Sequence, residues 1–394
     1  MKNRLAVFLI RTLILLLPFT HANAGEIPVM AFHGVQKEFI SEQHFRRLKG
    51  AGINISFSIY ITNEEVAQAL DCAQLSGVKL LIYSYDLINN TAATVQRFKN
   101  HPALFGYFII DEPDTSVFSE LKRRIEEIRK YDPKHPVYVN LYPNYAQNTQ
   151  MKSSSYVDYL SKYVNTVPVD FISFDNYPLM NGTVHPGWYG NLELIRNVSI
   201  LSNKNFWAFA NSTIFGPYKQ PTMSGLKLQM YSNLLYGAQG LQYFTYWTLD
   251  DENWKKNRFS YAIVDAKGRP TVTYEIVKKT NADIQKYAHV FLGSKVESVH
   301  HTSFRQPSST KKLSGNPAGF NYFRSDGPAL ISLITNGAKK YIVVLNKDLS
   351  RSRAVSVEGQ RGLKYMDSNG LELSLGGSRK SFVIAPGDIL VFRY

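Results

Sequence analysis

Residues 105–114 read FGYFIIDEPD, an apolar run that breaks off in three acids with a proline among them. From Phe105 to Ile110 the residues are apolar or aromatic except Gly106, as in a strand covered on both faces. Pro113 cannot continue a ladder, so the strand ends there and leaves Asp111 and Glu112 at its carboxyl end. The next stretch, DTSVFSELKRRIEEIRKYD (114–132), has the apolar spacing of a helix. The unit is a strand that stops at acids and hands over to a helix.

Working outward, the same unit recurs. PVMAFHGV precedes SEQHFRRLKGAG, INISFSIYI precedes NEEVAQALDCAQLSG, and VKLLIYSYD precedes NTAATVQRFKN. After the quoted pair come PVYVNLY with SSYVDYLSKYV, DFISFDNYP with NLELIRNVSILSN, NFWAFANST with GLKLQMYSNLLYGAQG, and LQYFTYWTL with TVTYEIVKKTNADIQKYAHVF. Eight strand–helix pairs across residues 25–293 predict an α/β fold, a (β/α)8 TIM barrel. A doubly wound open sheet is the alternative. No glycine-rich phosphate loop follows any strand, so nucleotide binding has no support.

Past Gly293 the texture changes. Short alternating segments such as ALISLIT, KKYIVVLNK and SFVIAPGDILVFRY are punctuated by Asn336-Gly337, Asn369-Gly370 and Pro386-Gly387. Residues 294–394 therefore read as a small all-β sandwich.

The chain opens MKNRLAVFLIRTLILLLPFTHANAG. Lys2 and Arg4 form a basic head, an apolar stretch follows, and Ala22-Asn23-Ala24 suits a cleavage site, so residues 1–24 read as a signal peptide. The expected destination is the periplasm or the outside. The apolar run is shorter than the ~20 residues that span a bilayer, so no stable membrane insertion is expected. Cys72 is the one cysteine, which excludes an intrachain disulfide and leaves stability to packing.

The formal charge is +14. Residues 294–394 carry 15 Lys and Arg against 7 Asp and Glu, a local +8. Such a module suits an anionic glycan or a charged envelope surface; a merely solvated basic face is the plainer alternative. Nothing suggests a nucleic-acid partner.

In a barrel of this type, chemistry collects at the carboxyl ends of the strands. Those ends hold His33, Tyr85, Asp111, Glu112, Asn140, Asp175, Tyr177, Asn211, Trp247 and Asp251. Aromatic rings stack on sugar faces and amides bind hydroxyls, so the set points to a carbohydrate. No Cys/His cluster and no G-x-S-x-G elbow occurs, and no metal or other cofactor is expected. Trp188 and Trp254 fall in loops, where either stacking on sugar or packing would explain them. His33, Tyr85 and the other strand-end aromatics have packing as their plainer explanation.

Glu112 is the candidate general acid. Apolar walls disfavour its charged form and raise its pKa toward the range such a catalyst needs. Asp114 could cap the following helix, which explains one of the three acids but not the other two.

HPALFGYFIIDEPD (101–114) resembles the fourth-strand signature of secreted barrel glycoside hydrolases of clan A, where the strand ends in Asn-Glu and the glutamate is the acid/base. FTYWTLDD (244–251) and YAIVDAKGRPTVTYEIV (261–277) resemble their eighth strand and its exit, and the segment from KKYIVVLNKD to APGDILVFRY resembles their C-terminal β-sandwich. The resemblance implies an exported glycosidase with Glu112 as acid/base and Asp111 beside it. It departs at the seventh strand, where clan A has its nucleophilic glutamate and this chain has Asn211. Asp175 is then the best second carboxylate, with Asp251 next. His33, Tyr85, Asn140, Tyr177, Asn211, Trp247 and Asp251 are the candidate sugar contacts.

Two other readings fit the missing nucleophile. One is a barrel that binds carbohydrate without cleaving it. The other resembles the hexosaminidases and chitinases, in which the substrate's own acetamido group attacks, with Asp111 orienting it and Glu112 protonating the leaving oxygen. The D-x-x-D-x-D-x-E run of chitinases is absent.

Overall fold

The computed structural model describes residues 25–302 and 306–394; the signal-peptide reading of residues 1–24 lies outside them. Eight strands close into a parallel barrel: β1 (Val29–Phe32), β2 (Ile55–Phe57), β3 (Lys79–Ile82), β4 (Leu104–Asp111), β5 (Val137–Leu141), β6 (Phe171–Phe174), β7 (Asn205–Asn211) and β8 (Gly240–Phe244). Each pairs with its neighbours in sequence, and β8 closes on β1 through Val29–Leu241 to Phe32–Phe244. The expected barrel is present, and the open sheet is excluded.

The eight strands sort their side chains by pleat. Met30, Phe57, Leu81, Phe108, Tyr138, Phe171 and Trp207 fill the barrel interior. Val29, Ala31, Leu80, Ile82, Val137 and Val139 face the helices outside. The interior is a packed plug rather than a channel, so a ligand can enter only at the rim.

The second strand is shorter than its sequence suggests. INISFSIYI contributes only Ile55–Phe57 to the ladder; Ile59 then stands exposed, and Tyr60 turns inward to donate to the Val35 carbonyl at 3.0 Å. The apolar residues beyond Phe57 serve the loop's own packing.

Nine antiparallel strands follow: β9 (Lys295–Thr302), β10 (Phe320–Ser325), β11 (Ala329–Asn336), β12 (Lys339–Asn346), β13 (Arg353–Gly359), β14 (Lys364–Met366), β15 (Glu372–Ser374), β16 (Lys380–Ile384) and β17 (Ile389–Arg393). They form a six-stranded sheet, ordered β9-β11-β12-β17-β14-β15, and a three-stranded sheet, β10-β13-β16. Ile331, Ile342, Val344, Val355, Val357 and Phe392 fill the space between them, as in a sandwich.

The other face of the larger sheet packs on the barrel. The helix Met223–Tyr236 is buried nearly all round, its polar Lys227, Gln229, Ser232 and Asn233 included. It lies between β7 and strands β11 and β12, and the barrel's outer core runs on into Val299, Leu330, Val343 and Val391 of the sandwich. Three polar ties cross the junction. Lys227 bridges Asp283 at 2.8 Å and Asp388 at 2.6 Å, Arg196 donates to the Val296 carbonyl at 2.9 Å, and Ser332 donates to the Leu235 carbonyl at 2.8 Å.

Candidate active site

At the carboxyl end of the barrel a cavity of about 220 Å³ opens to solvent. Among the described residues it is lined by Asp111, Glu112, Asn140 and Asp175, with Tyr177 and the rings of Phe32, Phe209, Phe215, Phe244 and Trp254.

Two consecutive acids both reach this cavity, which a regular strand would forbid, since neighbours point to opposite faces. The break is in the backbone. The β4–β5 register slips between Phe108 and Ile110, so that Ile109 and Ile110 pack outward and Asp111 returns to the side of Phe108. Glu112 then takes a left-handed conformation, φ 47°, which is costly for a non-glycine residue and redirects its side chain. Its N–H still donates to the Asn140 carbonyl at 2.9 Å. Tyr159 donates to the Pro113 carbonyl at 2.8 Å and pins the turn beyond it. Asp114 accepts from the Ser116 N–H at 2.8 Å and pairs with Lys152 at 2.9 Å, which makes it the cap and leaves Asp111 and Glu112 to the cavity.

Asn140, at the end of β5, organises the acids. Its amide donates one hydrogen to Asp111 and the other to Asp175, each at 3.0 Å. The amide is itself oriented from below. Ser173 donates to its oxygen at 2.9 Å, Gln242 donates to Ser173 at 2.9 Å, and Tyr138 donates to Gln242 at 2.6 Å. This buried chain crosses the barrel from β8 to β5, and each link fixes the next.

Glu112 and Asp175 both face this cavity, and their carboxyls influence one another's ionisation. Burial and the charge of Asp111 push Glu112 up to about 7. Asp175 is buried more deeply, and burial together with the two neighbouring acids raises it well above the usual range. Asp111 is raised by burial, with the Asn140 hydrogen bond opposing, although its carboxylate meets solvent at the mouth. Among the described lining residues there is no Lys, Arg or His to offset these acids. Burial and mutual repulsion therefore disfavour two negative charges on Glu112 and Asp175 together.

The other expected contacts are placed elsewhere. Asn211 folds back on its own turn, donating to the Thr213 carbonyl at 3.0 Å and accepting from the Thr213 N–H at 3.3 Å, so it faces away from the cavity. Trp247 is buried against Phe39 and His44 outside the mouth, with its indole donating to the Ala266 carbonyl at 3.3 Å. Asp251 is a helix cap, accepting from the N–H groups of Asn253 and Trp254, and is not among the residues that line the cavity. Tyr85 stands exposed beyond Tyr83 at the outer rim. His33 lies behind the wall formed by Phe244 and Trp254, and burial lowers it to about 4, so its ring is neutral.

The tryptophan of the cavity is Trp254, whose ring lies 6.3 Å from that of Phe244. Trp188 is a buried core residue. Sequence reading missed the phenylalanine walls. The alternation along β1 and β7 carries a signal for two of them, since Phe32 and Phe209 point inward two residues beyond Met30 and Trp207.

The family model for β-galactosidase of glycoside hydrolase type 42 matches residues 114–287, a span that includes Asp175 and begins just after Glu112. The site and this match together support a glycosidase. Solved structures with the same fold include a family 42 β-galactosidase from G. stearothermophilus, 9% identical over 93% of this chain and 98% of that one, with a TM-score of 0.60. A family 39 glycoside hydrolase from Bacteroides cellulosilyticus WH2 is 11% identical over 94% of this chain and 81% of that one, with a TM-score of 0.56. The β-galactosidase of psychrophilic Marinomonas ef1 is 9% identical over 66% of this chain, with a TM-score of 0.51, and this chain spans 60% of its length. At these identities the likeness is one of fold. No curated protein sequence matches the chain. Glycosidases work with paired carboxyls, and this cavity brings Asp111, Glu112 and Asp175 together.

Proposed function

We propose that this chain is an exported, clan A-like retaining glycosidase that removes a single terminal sugar, with Glu112 as acid/base and Asp175 as nucleophile. The convergence of these two carboxyls on one small cavity carries the reading. Inverting glycosidases hold their carboxyls ~6.5–9.5 Å apart to admit a water, and retaining ones ~5 Å apart. Two carboxyls that shift one another's ionisation within a cavity of about 220 Å³ suit the closer spacing. One proton on two carboxyls is also the charge state a retaining enzyme starts from: one acid and one carboxylate.

The geometry orders the steps. The Glu112 O–H gives its proton to the glycosidic oxygen as the C1–O bond breaks, and the Asp175 carboxylate bonds to C1. Water then attacks C1, the Glu112 carboxylate takes its proton, and Asp175 is released. Asn140 holds Asp175 in line throughout.

The cavity is smaller than the ~300–1,000 Å³ of common ligand clefts, which suits one sugar ring and exo action. The family match favours a β-galactoside-like bond. Residues 1–24 supply the export signal, toward the periplasm or beyond. The basic sandwich offers a surface for an anionic glycan or envelope, but any negative charge must stay outside a cavity that already holds three acids. A binding barrel without catalysis would have no need of two carboxyls sharing a proton beneath aromatic walls.

Nitrophenyl β-glycosides test the proposal. The wild type should release nitrophenol and give first the product anomer that keeps the substrate's configuration, seen by proton NMR. Glu112→Gln and Asp175→Asn should each lose at least a thousand-fold in kcat while staying folded. First appearance of the inverted anomer, or full activity in either variant, overturns the assignment.

A further inference from the structure

We infer that the sugar held in this cavity carries an unacetylated amine, bound as its ammonium; the inference deepens the glycosidase reading and rests on it. Three features of the lining support it. The first is charge: Asp111, Glu112 and Asp175 converge with no cation among the described lining residues, and His33 behind the wall is neutral. Protonation offsets part of their charge, and an ammonium pairs with what remains, whereas a neutral or anionic sugar offers it nothing.

The second feature is the supply of hydrogen bonds. A sugar hydroxyl both donates and accepts, so a site for neutral sugars needs donors. The one amide in this cavity, Asn140, already gives both hydrogens to Asp111 and Asp175. Beyond it the lining offers the Tyr177 hydroxyl and the Trp254 indole as donors, against the six oxygens of three carboxyls. An ammonium has three donors and no acceptor, which matches that imbalance.

The third feature is the aromatic box. Tyr177 lies 5.4 Å from Phe244 and 6.0 Å from Phe215, and Phe244 lies 6.3 Å from both Phe32 and Trp254. Aromatic rings beside a desolvated cation attract it through their electron-rich faces. Stacking on a neutral sugar explains one or two rings. It does not explain a box of rings around an acidic floor.

The experiment compares matched nitrophenyl β-glycosides in the galacto and gluco series, each with a hydroxyl, an acetamide or a free amine at C2. Calorimetric binding of galactosamine, glucosamine, galactose, glucose and N-acetylglucosamine to the wild-type enzyme at pH 6.5 runs alongside. The expected result is at least a tenfold preference for the amine in kcat/KM and in affinity. If the hydroxyl or acetamide substrate is cleaved best and the free amino sugars bind no tighter than their parents, the inference falls and the glycosidase reading stands. If nothing is cleaved but the amino sugars bind tenfold tighter, the inference holds and the hydrolytic reading falls. Absence of both cleavage and binding overturns both.

Discussion

Glu112, just past β4, and Asp175, just past β6, line one cavity, and the charge of Glu112 helps to raise Asp175. They come from strands more than sixty residues apart in sequence, separated by β5. The gap is bridged by Asn140 on β5, which holds Asp175 through its side chain and Glu112 through its carbonyl. One residue thus sets the spacing of both reacting groups.

Activity should fall on the alkaline side. Glu112 must carry its proton to act as the acid, and it loses that proton around pH 7. The kcat/KM profile should be high on the acid side of this value and decline through it. A plateau extending to pH 9 would mean that a different group donates the proton.

Stability should respond to Glu112 in a pH-dependent way. The folded pKa is about 7 against the ordinary 4.5 of a glutamate, so the unfolded chain ionises first as pH rises. Native stability is therefore lost between those values and is flat above them. Glu112→Gln removes the penalty. It should stabilise the protein by about 2 kcal/mol at pH 8, a figure reduced for shared protonation and partial exposure, and by almost nothing at pH 4. Denaturant titrations at the two pH values would check this, and an equal effect at both would contradict it.

The two tryptophans near the eighth strand should behave differently. Trp254→Ala removes a cavity wall and should lower kcat/KM about tenfold, or ~1.4 kcal/mol, mainly through KM. Trp247 is 2% exposed, so Trp247→Ala should cost ~3–5 kcal/mol in stability while leaving the KM of the folded fraction near wild type. Exchanged phenotypes would place the sugar on the other ring.

Lys227 should matter more for folding than for catalysis. It sits between Asp283 and Asp388 where the barrel meets the sandwich, and its removal leaves two carboxylates unpaired at a closed junction. Lys227→Met should cost ~3–5 kcal/mol. Because the apolar core runs across that junction, removing residues 294–394 should leave the barrel insoluble rather than independently folded. A soluble, active barrel fragment would refute the shared core.

Local patterning makes the barrel legible. A strand covered on both faces and a helix with one apolar stripe each write their period into adjacent residues, and eight repetitions in order leave few topologies open. The same locality exposes Glu112, since an apolar run ending in Asp-Glu-Pro states both where the strand stops and what it carries. Asn211, Trp247 and Asp251 depart from expectation for one reason. Standing near a strand end says nothing about which way a loop turns a side chain, and a local turn, a packing contact and a helix cap claim these three.

The sequence by itself determined the number and order of strand–helix units, the change of texture after Gly293, and the delivery of one acid to a rim. Only the closed barrel decided that Asp175 would meet Glu112, that Asn140 would hold them, and that six rings from separate strand ends and loops would wall the cavity. The reason is physical: periodicity is a property of neighbours along the chain, whereas an active site is a property of strand ends brought together by closure. Its distances depend on register, a bulge and one left-handed residue that no local pattern announces.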